Sequence, residues 1–353
     1  MQRYAPTFRP RTYRCCRHAE SMLPGDEPHP AKYLFLAIVP PSFYAFLCRL
    51  QIVHQEKVYD NNMYPVIRCE NITHYYGERL IYENLRFDVE QGNIVGLLGK
   101  NGTGKTTIIN ILNGYLKPTA GTCRIFGETM DALSPRTKAR IGLLLERHIQ
   151  HDCFNVSQIE RFYGSFFPHW RRDAYYELLR KLQVTPTQKL STMSCGQRSQ
   201  VALGLLFAQD PDLFILDDFS MGLDPGYRRL FVEYLREYVR AEGKTVFLTS
   251  HIIQDMEMLI DDCIVLDYGS ILLHRPTREI LDGFQRYRFD APGPLPTRID
   301  GLWNIAQTGG RWEAYSFLGP EETVALLAPY GVQKAEAEQL TLEDAFIGLT
   351  GKY

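Results

Sequence analysis

Short apolar runs alternate with longer amphipathic stretches between about residues 65 and 283. Four of the runs have apolar side chains on both faces of a strand, which is typical of parallel strands that are covered on both sides. These runs are 94–98, 213–216, 245–249 and 263–266. Between the first two runs, hydrophobic positions recur at helical spacing. The pattern predicts an α/β domain over residues 63–283, with a mostly parallel sheet core and an inserted helical subdomain over about 150–210.

The inserted segment contains an aromatic block that allows two interpretations. Its members are Phe162, Tyr163, Phe166, Phe167 and Trp170. Aromatic side chains at this density either form the core of the subdomain or provide a docking surface for a partner.

The first 62 residues are predicted to be an extension outside the domain. Their uncharged stretch 33–48 is shorter than the roughly 18 apolar residues of a membrane span, and Pro40 and Pro41 interrupt it. Met63 opens the first segment with a strand-like pattern. We therefore expect that residues 1–62 are either disordered or not translated in the native context.

Residues 284–353 follow the domain and include a proline-rich linker at 292–296. Periodic apolar positions predict short helices over 321–328 and 341–348, the second with Thr341 as its N-cap. We expect a small C-terminal α+β domain.

Composition is that of a globular protein, with 45% hydrophobic and 23% charged residues. The 39 Lys and Arg residues nearly balance the 41 Asp and Glu residues, so no overall positive field is available to hold nucleic acid. A nucleic-acid partner is therefore not expected. The eight cysteines show neither a CxxC pair nor the spacing of a zinc site, and we expect reduced, mostly buried thiols in the cytosol.

A glycine-rich segment joins the first apolar run to a helical pattern. It fits G-x-x-x-x-G-K-[ST], in which main-chain N–H groups surround a polyphosphate at the positive end of a helix. Lys105 is expected to reach the β- and γ-phosphates of a nucleotide, and Thr106 to ligate Mg²⁺. The other members of this predicted cradle are Gly99, Lys100, Asn101, Gly102, Thr103, Gly104 and Thr107. A glycine-rich turn without a ligand is the alternative, and the strand–loop–helix context argues against it.

Three further groups lie at the ends of predicted elements. Asp217 and Asp218 follow the second apolar run, where Asp217 is suited to the Mg²⁺ shell and Asp218 to orient or deprotonate a water. Ser194 opens a predicted helix and could donate to a phosphate, while a simple N-cap is the alternative. His251 follows the third run and is either catalytic or structural.

Together these segments resemble the nucleotide-binding domain of ATP-binding cassette (ABC) transporters, over about residues 65–283. The matching motifs are Walker A at 99–106, Walker B at 213–217, the signature at 193–197 and the D-loop at 222–224. His251 matches the switch histidine, and Tyr76 matches the aromatic residue that stacks on adenine. For Tyr76, a half-buried position at a strand end is the alternative.

The resemblance implies a P-loop NTPase of ABC type, with an antiparallel β subdomain and a helical subdomain that carries the signature. It also implies that two such domains sandwich two ATP molecules with Mg²⁺. Ser194 and Gly196 of one subunit would then complete the site of the other, and Gln197 and Asp224 belong to the same implied nucleotide-binding set. The second subunit is either an identical copy or a related ABC ATPase.

The pore would belong to a separate integral-membrane permease, which places this chain in the cytoplasm, on the inner face of the cell membrane. The tail at 340–346 and the aromatic block are similar to ATPases that serve ABC-2-type exporters.

Four positions depart from the family pattern. Asp218 stands where a glutamate is usual, and its shorter side chain predicts slow hydrolysis. Glu146 replaces the Q-loop glutamine and could still reach Mg²⁺ or the attacking water. Cys195 replaces a glycine of the signature, and Met193 replaces a leucine.

The function favoured by these residues is that of an ATP-binding and ATP-hydrolysing subunit that powers export. A nucleotide-sensing regulatory subunit with impaired hydrolysis and a soluble ABC ATPase without a transport role are the alternatives.

Overall fold

The computed structural model describes residues 65–145, 152–167, 169–219 and 223–351. The strands in these ranges are β1 (Ile67–Tyr76), β2 (Arg79–Val89), β3 (Ile94–Gly99), β4 (Ala120–Ile125), β5 (Glu128–Thr129), β6 (Ile141–Leu144), β7 (Leu213–Asp217), β8 (Thr245–Thr249), β9 (Asp262–Asp267), β10 (Ser270–Pro276), β11 (Gln285–Phe289), β12 (Trp303–Thr308), β13 (Arg311–Ser316) and β14 (Ala335–Gln339). The α-helices are α1 (Lys105–Leu112), α2 (Pro135–Ala139), α3 (Val156–Gly164), α4 (Arg172–Lys181), α5 (Cys195–Ala208), α6 (Pro225–Glu242), α7 (Ile253–Leu259), α8 (Thr277–Gly283), α9 (Pro320–Leu327) and α10 (Leu342–Thr350).

The central sheet has the strand order β10-β9-β3-β8-β7-β6. Neighbouring strands are parallel except at the β9–β10 edge, where they are antiparallel. The four apolar runs predicted as parallel strands are β3, β7, β8 and β9, so that prediction is confirmed. Side chains alternate between the faces of β3, with Ile94 and Leu98 in one hydrophobic core and Val95 and Leu97 in the other. Burial on both faces explains why these runs are mostly apolar and contain no charged residue.

A second sheet, with the order β2-β1-β4-β5, is antiparallel and matches the β subdomain that the resemblance implied. Its inner side chains share a hydrophobic core with one face of the central sheet and with α1. Phe87 of β2 and Phe247 of β8 stack there with ring centroids 5.6 Å apart. This packing brings β2 close to the start of α1.

The other face of the central sheet packs against helices that include α3, α4 and α5. Phe162 of the aromatic block is buried, and its ring centroid lies 5.2 Å from that of Phe166. The nitrogen of the Trp170 ring donates to the buried Glu160 carboxylate at 2.9 Å. These contacts support the subdomain-core interpretation of the block.

The C-terminal region forms an antiparallel sheet with the order β12-β13-β11-β14, which has its own core against α9. The helices predicted at 321–328 and 341–348 are confirmed as α9 and α10, and the Thr341 side chain accepts a hydrogen bond from the Asp344 N–H at 3.1 Å. Buried side chains of α10 belong to the core of the central sheet rather than to that of the C-terminal sheet. The last helix therefore packs against the main domain.

No helix within the described ranges has both the length and the apolar character needed to cross a membrane. Met63, the uncharged stretch 33–48 and the rest of residues 1–62 lie outside the described residues, as does Glu146.

Candidate functional site

Three of the predicted groups, the glycine-rich loop, the acidic pair and His251, converge at one edge of the central sheet. Strands β3, β8 and β7 are adjacent and parallel, so their carboxyl ends lie side by side. The glycine-rich loop follows β3, His251 follows β8, and Asp217 and Asp218 lie at the end of β7. The carboxyl edge of a parallel sheet is where ligands bind in α/β folds.

The glycine-rich loop is held in a tight turn by its own atoms. The Thr103 hydroxyl donates to the Lys100 carbonyl at 2.8 Å, and the Lys105 ammonium donates to the carbonyls of Gly99 at 2.5 Å and Lys100 at 3.1 Å. Gly102 and Gly104 have φ angles of 80° and 104°, a left-handed conformation that glycine adopts at little cost. The loop then enters α1, whose N-terminal end carries the positive pole of the helix dipole.

The electrostatics of Lys105 connect the loop to the acidic pair. Burial lowers the pKa of the Lys105 ammonium, while the carboxylates of Asp217 and Asp218 act in the opposite direction. An ammonium after β3 and two carboxylates at the end of β7 thus lie at the same sheet edge, a combination of charges that suits a polyphosphate with a divalent cation.

Tyr82 of β2 supports the loop from the antiparallel sheet, a role that the sequence analysis missed. Its buried hydroxyl donates to the Gly104 carbonyl, and a Cβ atom at Gly104 would lie 2.5 Å from that oxygen. Burial raises the pKa of the Tyr82 phenol, so the hydroxyl keeps its proton as a donor. The sequence offered only a general indication of this role, because a buried tyrosine usually has a hydrogen-bond partner but its sequence position does not identify that partner.

Thr249 contacts both Asp217 and Asp218. This role was also missed by the sequence analysis, in which Thr249 was only the last residue of an apolar run. Its hydroxyl donates to the Asp217 carboxylate at 2.6 Å and accepts from the Asp218 main-chain N–H at 3.2 Å. The Thr249 carbonyl accepts from the same N–H at 3.1 Å. Asp217 is 4% exposed, so this hydroxyl is an important partner for a buried charge.

Asp218 and His251 form a direct side-chain pair. The Nδ1 atom of His251 lies 2.6 Å from both carboxylate oxygens of Asp218. Asp218 has a φ angle of 51°, which is uncommon for a residue with a side chain. Its carboxylate is partly buried, whereas the His251 ring is about half exposed. This arrangement places a carboxylate and an imidazole together at the open edge of the sheet.

The signature helix α5 begins with a reciprocal cap. The Ser194 side chain accepts from the Gln197 N–H at 3.2 Å, and the Gln197 side chain accepts from the Ser194 N–H at 3.1 Å. The interpretation of Ser194 as the N-cap of α5 is therefore confirmed. Ser194 and Cys195 are exposed, Met193 is buried, and Gly196 lies in the first turn of α5. The start of α5 is thus exposed at Ser194 and Cys195 and partly buried in the rest of its first turn.

The remaining predicted residues have varied environments. Tyr76 is 50% exposed at the end of β1, and its ring centroid lies 4.9 Å from that of the buried His74 ring, with the two rings perpendicular. Asp224 is an exposed residue directly before α6. Asn101 and Thr106 are exposed, whereas Thr107 is buried. The Lys100 side chain is buried and donates to the Thr350 carbonyl at 2.7 Å.

The oxygen ligands available at this edge are of the kind that Mg²⁺ prefers. Thr106 offers a hydroxyl and Asp217 a carboxylate, and Mg²⁺ is usually held by one or two such oxygen ligands together with phosphates and water. Within the described ranges, no cluster of three or more His, Cys, Asp or Glu side chains could form a metal cage. Two oxygen ligands such as Thr106 and Asp217 suit a metal that arrives with a phosphorylated ligand.

Comparisons with known proteins agree with this geometry. The family model described as "ABC transporter" matches residues 82–220. The chain is 29% identical to Nod factor export ATP-binding protein I of Ralstonia nicotianae over 306 residues, which cover 82% of this chain and 94% of that protein. It is 30% identical to the protein of the same name from Rhizobium sp. (strain N33) over 272 residues, which cover 76% and 81% of the two chains.

Solved structures support the fold. An ATP-binding subunit of an ABC transporter superposes with a TM-score of 0.55 at 22% identity, covering 62% of this chain and 92% of that one. A dimeric ATP-binding cassette in a post-hydrolysis state with ADP and Pi gives a TM-score of 0.53 at 21% identity, covering 60% and 99%.

Proposed function

Because the chain belongs to the ABC transporter family of ATP-binding subunits, we propose that its sheet edge binds MgATP and hydrolyses it to power export through a separate permease. The observation that carries this proposal is the convergence of the glycine-rich loop, the acidic pair and His251 at one edge.

The loop is proposed to bind the phosphates through main-chain N–H groups from Gly99 to Thr107, assisted by the positive end of α1. Lys105 would exchange its contacts with loop carbonyls for contacts with phosphate oxygens, which are stronger partners for an ammonium. Thr106 and Asp217 would hold Mg²⁺, which neutralises the phosphate charge when bound. Tyr76 would stack on adenine, for which its exposed ring at the end of β1 is suited.

Asp218 is proposed to orient the attacking water and to accept its proton. His251 lies within hydrogen-bond distance of the Asp218 carboxylate and holds that group at the open edge. An aspartate ends about 1.5 Å short of the position that a glutamate would reach, and near-attack geometry is sensitive to such a displacement. We propose that hydrolysis is slow for this reason. Glu146 is proposed as an additional Mg²⁺ or water ligand.

The exposed start of α5 supports a role for a second ABC ATPase, either an identical copy or a related one. Ser194, Gly196 and Gln197 of one subunit would complete the phosphate site of the other, and Asp224 would lie at the same junction. ATP then holds the two subunits together, and hydrolysis releases them. The matched relatives are named export ATP-binding proteins, which supports an integral-membrane partner and a position on the cytoplasmic face of the membrane.

The test is calorimetry of the purified full chain with MgATP, followed by light scattering to detect ATP-dependent dimers. We expect binding and dimerisation by the wild type and the loss of both in Lys105→Ala. A folded wild-type protein that releases no heat with MgATP would contradict the proposal. Binding without turnover in a complex with its membrane partner would instead identify the regulatory subunit.

A further inference from the structure

Each end of helix α10 is hydrogen-bonded to a segment next to the proposed nucleotide site. At its C-terminal end, the Lys100 ammonium donates to the Thr350 carbonyl at 2.7 Å. At its N-terminal end, the Leu342 N–H donates to the Glu257 carboxylate at 2.8 Å, and Gln254 donates to Glu343 at 2.6 Å. Gln254 and Glu257 belong to α7, which begins two residues after His251. The helix therefore bridges the glycine-rich loop and the segment that follows the switch histidine.

Each end of α10 has a partner of the charge that its dipole favours. A carboxylate meets the positive N-terminal end and an ammonium meets the negative C-terminal end, where the last carbonyls of a helix lack main-chain partners. Lys100 is only 8% exposed, which strengthens the contact because water competes little for it. The contact with Lys100 is therefore a specific attachment of the helix to the loop.

Side-chain packing makes this attachment rigid. Leu342, Phe346 and Leu349 of α10 are buried in the hydrophobic core that also contains Leu98, the residue before the loop. Since close-packed cores transmit displacements, a movement of the loop at Lys100 is resisted by the whole helix.

We propose that Lys100 is a positioning residue through which α10 holds the phosphate loop, so that MgATP binding and docking of α10 stabilise each other. This inference rests on the proposed function and adds a regulatory element to the same site. Because binding energies are reciprocal, a loop that is held in place by α10 must in turn hold α10 more firmly when nucleotide is bound. A partner or condition that displaces α10 would then weaken nucleotide binding without touching the phosphates.

The experiment compares the full-length wild type with Lys100→Met, which keeps an aliphatic side chain of similar length and removes the ammonium. Lys117→Met is the matched control, since Lys117 is exposed in the loop after α1. MgATP affinity is measured by calorimetry, and hydrogen exchange of residues 342–350 is followed with and without saturating MgATP. Glu257→Gln serves as a second variant, because it perturbs the opposite end of α10.

We expect Lys100→Met to weaken MgATP affinity about tenfold, as for the loss of a charged hydrogen bond, and Lys117→Met to leave it unchanged. In the wild type, MgATP should slow exchange in α10. In Lys100→Met, saturating MgATP should still protect α1 but no longer protect α10. Glu257→Gln should also weaken MgATP affinity.

If MgATP does not change the rate of hydrogen exchange in α10 of the wild type, the inference is overturned. This measurement does not depend on the folding of any variant. Protection of α10 that persists in Lys100→Met would overturn it as well. If the wild type binds no MgATP, the proposed function fails. If the wild type and Lys100→Met bind MgATP equally well, only the role of Lys100 fails.

Discussion

Nδ1 of His251 is equidistant, at 2.6 Å, from the two carboxylate oxygens of Asp218. This contact joins the end of β8 to the end of β7 at the open side of the sheet edge. The side chain of Asp218 is one methylene shorter than that of the glutamate usual in the family. In the proposed mechanism, the distance of this shorter side chain from the attacking water is the feature that limits hydrolysis.

The first prediction concerns this carboxylate. Asp218→Asn should lower the turnover number by about 10²-fold or more, because a general base contributes roughly 10²–10⁴ to the rate. Asp218→Glu should raise turnover above that of the wild type, since the carboxylate moves toward the water. Phosphate release by the purified chain, and by its complex with the membrane partner, measures both effects.

MgATP affinity is the control for these variants and should change little in either, because Asp218 is not assigned to the phosphates. Full turnover by Asp218→Asn would show that another group is the base.

A second prediction tests the orientation of Asp217 by Thr249. Thr249→Val keeps the shape of the side chain and removes the hydroxyl that donates to Asp217 at 2.6 Å. A hydrogen bond to a charged group is worth about 1.5–3 kcal/mol, so the Mg²⁺ concentration needed for half-maximal ATP binding should rise roughly tenfold. A Mg²⁺ titration at fixed ATP measures the effect.

Thr249→Ser retains the hydroxyl and is the matched control for this titration. If Thr249→Val and Thr249→Ser require the same Mg²⁺ concentration, Thr249 does not orient the metal ligand.

Tyr82→Phe provides a third prediction, on the support of the loop. The substitution removes the donor to the Gly104 carbonyl and keeps the ring. That carbonyl also accepts from the Ile108 N–H at 3.0 Å, so it is not left without a partner. We therefore expect a loss of only about 1 kcal/mol in the free energy of unfolding, together with weaker MgATP binding.

Denaturant unfolding and calorimetry separate the two effects. Tyr234→Phe, which removes a hydroxyl far from the loop in sequence, is the control for the loss of a tyrosine oxygen. Equal MgATP affinity in the wild type and Tyr82→Phe would show that the loop does not depend on this contact.

Much of this arrangement was predictable because its determinants are local. The four buried strands each contain a run of three or more consecutive apolar residues, and the loop from Gly99 to Thr106 has a fixed spacing that follows from the geometry of a strand–loop–helix turn. Ser194 and Thr341 lie three residues before the main-chain N–H groups that they cap, so both helix starts were apparent.

The contacts that the sequence did not reveal join residues that are far apart along the chain. Tyr82 contacts Gly104 across two sheets, and Thr249 reaches Asp217 across neighbouring strands. Lys100 and Thr350 are 250 residues apart, and nothing in either segment indicates that the last helix leaves its own sheet for the main core. Such pairings depend on how complete elements pack, which local periodicity does not encode.

The last prediction uses the thiol at the start of α5. Cys195 is exposed beside Ser194, on the surface that a second ABC ATPase is proposed to cover, and Cys153 is a second exposed cysteine among the described residues. Alkylation of Cys195 with N-ethylmaleimide adds bulk to that surface and should abolish most ATP-dependent dimerisation, because close-packed interfaces do not accommodate an added group.

Light scattering of Asp218→Asn protein with MgATP measures this effect, since slow hydrolysis preserves the dimer. Cys195→Ser should protect the dimer from the reagent, whereas Cys153→Ser should not. MgATP added before the reagent should also slow the labelling of Cys195. Alkylated protein that dimerises as readily as untreated protein would place the dimer contact away from the signature helix, and Ser194 would then retain only its role as the N-cap of α5.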